Sequence, residues 1–210
     1  MKNIYCLLIV SFLCISSLLP AGAQTLSEKD FQVLNMNDGL SDNDIHSVAK
    51  DTEGFMWFGT GSGLNRYDGR TFKVFRMPGI SYRRIDRVVS LDTDYLLLRS
   101  EQNLFLFDKK YERFLPVCDS VSKQPVMFAD FVADSDGSCW GVSSGELSEV
   151  NFPSSFVQDT AFVSVRHVVN NSQSDPFVVL CMGEDGKMLY CASRNGTVYR
   201  FTPGQRQLKK

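Results

Sequence analysis

Two histidines are the first side chains in this sequence that could support catalysis or bind a metal. His46 and His167 are the only histidines in the chain, and neither is spaced with Cys, Asp or Glu as a metal site requires. Each lies in a strand-like apolar run, where a packed or hydrogen-bonded imidazole is the simpler interpretation. We therefore predict no metal ion and no cofactor.

A glycine-rich stretch, Gly59 to Gly63, superficially resembles a phosphate-binding loop. No helix is predicted after it, so its amides would lack the helix N-terminus on which such loops depend. The motif HExxH is also absent from the sequence. The stretch is interpreted as a turn, and no catalytic residue is predicted.

Acidic side chains near glycines could in principle form the carboxylate pair of a glycosidase. The candidates are Asp42, Asp44, Asp51, Asp134 and Asp136. Asp51 and Asp134 occupy the same place in an internal repeat, as turn residues would, and Asp beside Gly is a common turn pair. The turn interpretation is preferred, and a secreted carbohydrate-active enzyme (hydrolase or lyase) is kept as an alternative.

An internal repeat of about 40 residues supplies the elements that position these side chains. In its first copy, four short β-branched or aromatic segments at 45–51, 55–60, 64–68 and 71–76 are separated by turns rich in Gly and Asp. Four antiparallel strands per repeat predict an all-β protein, a β-propeller with about four blades, in a ring that is incomplete. The predicted blades span approximately 45–76, 85–115, 129–169 and 177–210.

Each defining residue of the repeat has a structural role. Glycines allow tight reversals and close approach, Asp68-Gly69 is a hairpin signal, and the tryptophans are expected to fill the space between neighbouring sheets. The defining residues are Asp51, Gly54, Trp57, Gly59, Gly63, Leu64, Tyr67, Asp68, Gly69, Gly137 and Trp140.

The N-terminal segment has the pattern of a signal peptide. Lys2 precedes an apolar run from Ile4 to Leu19, and Pro20 to Ala23 supplies a small-x-small cleavage site. We predict a signal peptide at 1–23 and export to the periplasm, with no transmembrane helix in the mature chain. Because Lys2 is the one charged residue removed, the formal charge of −2 becomes −3, and no contact with nucleic acid is predicted.

Four cysteines remain after residue 23: Cys118, Cys139, Cys181 and Cys191. Three of them lie in apolar strand-like runs, where a free cysteine behaves as a small buried hydrophobe. Cys181 and Cys191 flank a turn almost symmetrically, so a disulfide between them across a hairpin is the one pairing predicted for testing.

The first copy closely resembles the two-component regulator propeller repeat. The resemblance rests on Asp38-Gly39-Leu40-Ser41-Asp42-Asn43 followed by the repeat residues from Asp51 to Gly69. It implies the periplasmic sensor domain of a hybrid two-component system, which recognises oligosaccharides and acts as a homodimer. The histidine kinase and response regulator of such proteins are not among these residues.

The segment 31–34 is predicted to be an outer strand whose own blade is missing. It precedes the inner strand of the first blade by the same distance at which 72–75 precedes the inner strand of the second. In closed propellers such a strand completes the last blade. We therefore expect the natural ring to contain more blades, and the sequence to be a truncated product.

Two connections that lead into blades are the predicted ligand-binding loops. Their candidate residues are Asp42 and Asn43 in the first, and Tyr82, Arg83 and Arg84 in the second. The predicted function is the N-terminal periplasmic sensor portion of a hybrid two-component protein, without enzymatic activity of its own. A protein-binding scaffold is a further alternative.

Overall fold

The computed structural model describes residues 31–79, 84–133, 139–153, 156, 159–170, 175–183, 188–203, 205 and 207–210. These residues form sixteen β-strands and a single turn of 3-10 helix, Met36–Asp38. No helix among them is long and apolar enough to span a bilayer. The strands are β1 (Ile45–Lys50), β2 (Met56–Thr60), β3 (Gly63–Tyr67), β4 (Phe72–Phe75), β5 (Arg87–Ser90), β6 (Tyr95–Ser100), β7 (Asn103–Asp108), β8 (Arg113–Asp119), β9 (Asp130–Ala133), β10 (Cys139–Ser143), β11 (Glu146–Asn151), β12 (Ala161–Asn170), β13 (Phe177–Met182), β14 (Leu189–Ser193), β15 (Val198–Thr202) and β16 (Gln207–Lys209).

Consecutive strands pair antiparallel in groups of four, and each group is one blade. The first blade is β1-β2-β3-β4 and the fourth is β13-β14-β15-β16, while β5–β8 and β9–β12 make the second and third. The prediction of an all-β chain built from four-stranded antiparallel blades is confirmed. The second blade extends to Asp119, beyond the predicted boundary at residue 115.

The turns of the first blade show why its sequence folds in this way. Gly54 and Gly69 have φ values of 93° and 94°, a region that side chains other than glycine rarely adopt. The Asp68 carboxylate accepts hydrogen bonds from the amides of Arg70 and Thr71, which closes the β3–β4 turn. Short strands with fixed turns of this kind set the register of the whole blade.

Apolar side chains fill the space between adjacent blades. Trp57 is 1% exposed, and its ring centroid lies 5.8 Å from that of Phe75 and 5.6 Å from that of Phe107 in the second blade. Trp140 occupies the corresponding place between the third and fourth blades, 5.5 Å from the ring of Phe201. The tryptophans therefore pack between sheets, where large rings bury the most apolar area.

The second and third blades are joined at their outer strands as well. Residues 161–163 of β12 pair in parallel with residues 117–119 of β8, so the two blades form one continuous eight-stranded sheet. The connection between them folds back over this seam, where the amide of Val126 donates to the carbonyl of Val117 at 2.9 Å.

The inner strands are linked by a contact that recurs at one repeat position. Ser47, Arg87 and Asp130 each lie two residues before the residue that pairs with Trp57, Leu97 and Trp140, respectively. Ser47 Oγ accepts the amide of Val88 at 3.0 Å, and Asp130 Oδ2 accepts the amide of Leu180 at 2.9 Å. At the middle junction, Arg87 Nη1 lies 3.8 Å from Asp130 Oδ1. We call these contacts the inner-strand links.

Two predictions differ from the structure. The segment 31–34 forms no strand, and Phe31 and Val33 are 63% and 80% exposed.

Cys181 and Cys191 are both free thiols, because Cys181 pairs with Tyr190 and Cys191 with Leu180. A shift of one residue places side chains on opposite faces of a sheet, so Cys191 is buried while Cys181 is exposed, and the predicted disulfide is not formed.

Candidate functional site

The predicted ligand residues of the first loop form hydrogen bonds with other residues of the chain. Asp42 accepts the amide of Asp44 at 3.0 Å and the hydroxyl of Ser62 at 2.9 Å, and these hydrogen bonds lower the pKa of its carboxyl. Asn43 Oδ1 accepts the amide of Met36 at 3.0 Å. Both side chains therefore shape the connection 37–44 that leads into the first blade, which we call the entry loop. Their role towards a ligand remains a prediction.

The second predicted loop is described only at its end. Tyr82 and Arg83 lie outside the described residues. Arg84 is exposed, and its Nε donates to Asp86 Oδ1 at 2.5 Å, while Asp86 Oδ2 accepts the amide of Glu101 at 2.7 Å. The guanidinium is thus oriented by Asp86 at the end of the blade where β6 turns into β7.

A buried amide holds the entry loop against the first blade. Asn65 Oδ1 accepts the amide of Ser41 at 2.9 Å and Asn65 Nδ2 donates to Ser41 Oγ at 2.8 Å. The same hydroxyl lies 2.9 Å from Thr60 Oγ1, and both Asn65 and Thr60 are 0% exposed. Because buried polar groups need partners, these residues fix the loop's position.

Asp51 is a buried carboxylate and more than a turn residue. Its Oδ1 accepts the amides of Glu53 and Phe55 at 3.0 and 2.9 Å, and its Oδ2 accepts the indole N–H of Trp57 at 2.8 Å. Lys109 Nζ of the second blade lies 3.5 Å from Oδ2. Burial alone would raise the pKa of Asp51, but the Trp57 hydrogen bond, the Lys109 charge and the two backbone hydrogen bonds together outweigh it, so the pKa is lowered.

An open groove of about 330 Å³ lies beside the connection between the second and third blades. We call it the interblade groove. It is bounded by residues 119, 122 and 124–128 of the connection, by Ser143, Ser144 and Glu146 around the β10–β11 turn, and by the strand residues Ser148, Val165 and His167 of the third blade. The groove opens at the same end of the blades as the two predicted loops. In a four-stranded antiparallel blade, the turn between the second and third strands lies at the same end as the connection into the first strand.

A hydroxyl, an imidazole and a carboxylate meet in this groove. His167 Nδ1 lies 2.9 Å from Ser148 Oγ and 3.1 Å from Glu146 Oε2. Ser148 is 2% exposed, whereas the His167 side chain is 71% exposed. Ser148 therefore forms the floor, and the imidazole and the Glu146 carboxylate face solvent above it.

The same three residue types form the triad of many hydrolases, but the geometry here is different. In a triad the hydroxyl and the carboxylate bond to opposite nitrogens of the imidazole, so that one nitrogen takes the proton while the other is oriented. Here both groups lie at Nδ1. The arrangement can bind hydroxyl groups but does not prepare Ser148 for nucleophilic attack.

The described residues contain no group of three or more His, Cys, Asp or Glu side chains that could hold a metal ion. The first histidine, His46, has Nε2 3.2 Å from Asp44 Oδ2, without hydrogen-bond geometry. One carboxylate beside one imidazole falls short of a metal site.

Sequence reasoning missed the interblade groove. Ser148 and His167 face each other because β11 and β12 pair with a register shift after Leu147. Such irregularities depend on long-range packing and carry no motif. The one signal available in the sequence was the hairpin pairing of 146–151 with 161–170, which brings Ser148 close to His167.

The comparisons with known proteins identify the repeat. Residues 39–62 match the family model described as "Two component regulator propeller", which confirms the predicted family of the first copy. Histidine kinase P4 of Formosa agariphila is 38% identical over 78 residues, which are 36% of this chain and 5% of that protein.

Solved structures of three bacterial proteins are among those that share the fold. The extracellular domains of two B. thetaiotaomicron hybrid two-component systems have TM-scores of 0.62 and 0.60 at 17% and 18% identity, over 85% of this chain and 26% and 27% of theirs. PorZ of Porphyromonas gingivalis, a surface component of the type-IX secretion system, has a TM-score of 0.58 at 13% identity, over 90% of this chain and 29% of its own. The chain thus spans about a quarter of these structures, and the propeller fold is confirmed.

Proposed function

Because this chain carries a two-component regulator propeller repeat, we propose that it is the N-terminal periplasmic sensor portion of a hybrid two-component signalling protein. The observation that carries the proposal is the match at 39–62, which covers the entry loop and the first hairpin. The partial identity to a histidine kinase supports the same assignment.

The proposed signal is an oligosaccharide from outside the cell. Exposed loops and an open groove at one end of the blades suit a ligand with many hydroxyl groups, since the groove offers a carboxylate, an imidazole and serine hydroxyls. The proposed mechanism is a shift in the relative placement of two subunits when the ligand binds, which a bistable assembly can transmit to a distant kinase.

Recognition is favoured over hydrolysis on one structural ground. The only Ser-His-Glu cluster among the described residues has both partners at the same imidazole nitrogen, and a working triad needs them at opposite nitrogens.

A thermal-shift screen of the full chain against neutral and acidic oligosaccharides tests the proposal. A ligand at about 100 times its Kd stabilises the folded state by about 2.7 kcal/mol, which corresponds to a rise in Tm of about 5–10 °C for a domain of this size. Chromatography of the same mixtures should recover the oligosaccharides intact. Turnover of any of them would show an enzyme, and no shift with any of them would favour a scaffold.

A further inference from the structure

We propose that the interblade groove is the saccharide-binding site, and that its ligand is a neutral sugar segment bound through Glu146 and His167. This inference rests on the proposed sensor function and makes it more specific. It moves the site from the predicted residues Asp42, Asn43 and Arg84 to the third blade.

The predicted loop residues are already engaged with the protein. Asp42 binds Asp44 and Ser62, and Asn43 binds Met36. A ligand that used these side chains would have to break hydrogen bonds that hold the loop, and each bond left unmade is costly. His167 also contacts Ser148 and Glu146, but Glu146 and His167 keep 38% and 71% of their side-chain surface in solvent, so a ligand can reach both without displacing a loop.

The groove has the two kinds of wall that a sugar ring requires. Its polar side is Glu146 and His167, with the buried Ser148 hydroxyl orienting the imidazole. Its apolar side includes Pro125 and Met127, both exposed, against which the C–H face of a sugar can pack. The volume of about 330 Å³ is at the lower end of the roughly 300–1,000 Å³ typical of ligand pockets, which suits one or two sugar units.

The charges in the groove select a neutral ligand. Its lining contains the carboxylates of Asp119 and Glu146 and neither Lys nor Arg. Asp119 is held by the amide of Ser122 at 2.8 Å. The lysine in the same connection, Lys123, is directed to the ring of Phe162, 4.6 Å from its centroid. Uronic acids and sulfated sugars would meet repulsion without a compensating cation.

The test is isothermal titration of the full chain with β-1,4-linked mannotetraose, xylotetraose and cellotetraose, and with tetragalacturonate as the acidic probe. We expect at least one neutral tetrasaccharide to bind and tetragalacturonate to bind at least about tenfold more weakly. Glu146→Gln and His167→Ala should each weaken the neutral ligand by about five-fold or more, as expected for one lost hydrogen bond to a polar ligand group. Met127→Ala tests the apolar wall.

The control is Val121→Ala, which removes an 87% exposed side chain of the same connection outside the groove and should leave Kd unchanged within about twofold. Unfolding midpoints of all variants separate lost binding from lost folding, and Glu146→Gln preserves side-chain size.

Each outcome has a distinct meaning. Binding of a neutral tetrasaccharide that is insensitive to the groove variants would overturn this inference and leave the sensor proposal standing. Preference for tetragalacturonate would also overturn it, because the charge argument would be wrong. If none of the four probes binds, and the thermal-shift screen finds no other oligosaccharide, the sensor proposal itself fails.

Discussion

Replacement of Asp51 by Asn should destabilise the first blade through one oxygen of the carboxylate. An Asn side chain keeps an acceptor where Oδ1 binds the amides of Glu53 and Phe55. It places an N–H₂ group where Oδ2 now accepts from the Trp57 indole and faces Lys109. The new N–H₂ group then faces two other donors, the Trp57 indole N–H and the Lys109 ammonium, and the buried indole N–H is left without an acceptor.

The expected cost is about 2–4 kcal/mol in the free energy of unfolding. An unsatisfied buried donor costs about 1–3 kcal/mol, and a hydrogen bond to a charged group contributes about 1.5–3 kcal/mol. These contributions overlap, because both describe the loss of the Trp57 contact. A double-mutant cycle with Trp57→Phe should give a coupling energy of about 1–2 kcal/mol, within the range for residues in direct contact.

Urea unfolding of the four proteins of the cycle, with Asp68→Asn as a control, measures these values. Asp68 also accepts two turn amides with Oδ1, but its Oδ2 binds only the Thr71 hydroxyl and the residue is exposed. Asp68→Asn should therefore cost no more than about 1 kcal/mol, in keeping with surface substitutions. If Asp51→Asn costs no more than the control, or if the cycle shows no coupling, the buried contact does not stabilise the blade as argued.

Three further outcomes are expected. Because the pKa of Asp51 is lowered from 3.8 on folding, its contribution to stability is complete above about pH 4 and is lost as the pH falls through the pKa of the folded state. The difference in free energy of unfolding between wild type and Asp51→Asn should therefore hold from pH 7 to 5 and shrink below pH 4. A difference at pH 3 equal to that at pH 7 would contradict this. Gly59→Ala should cost about 1–3 kcal/mol, since the new Cβ would lie 2.7 Å from the Ile85 carbonyl oxygen; an unchanged Tm would show that the first two blades are not in close contact there. A maleimide should label Cys181 in the folded chain and Cys191 only after unfolding, because burial raises the pKa of the Cys191 thiol to about 12. A change in mobility on a non-reducing gel that disappears on reduction would instead show that the two cysteines form the disulfide.

Local signals in the sequence predicted the blades well. Turn residues such as Gly54 and Asp68-Gly69 act within a few residues, so their effect is visible in a short stretch. The family of the repeat was predicted from the same stretch.

Features that depend on register or long-range pairing could not be predicted. The disulfide prediction failed by one residue, because the register that leads away from the β13–β14 turn pairs Cys181 with Tyr190 and Cys191 with Leu180, so the thiols face opposite sides. The parallel pairing of β8 with β12 joins segments more than forty residues apart, and nothing local marks it. The groove residues Ser148 and His167 meet through a similar shift.

The inner-strand links bear on how a chain of similar blades avoids assembling in the wrong order. The first junction presents a hydroxyl to an amide, the second pairs a guanidinium with a carboxylate, and the third presents that carboxylate to an amide. If the second and third blades exchanged places, Arg87 would face the amide of Leu180, a donor against a donor. Mispairing of like repeats is a characteristic folding error, and in this protein one side chain in each of the first three blades makes the native order chemically distinct.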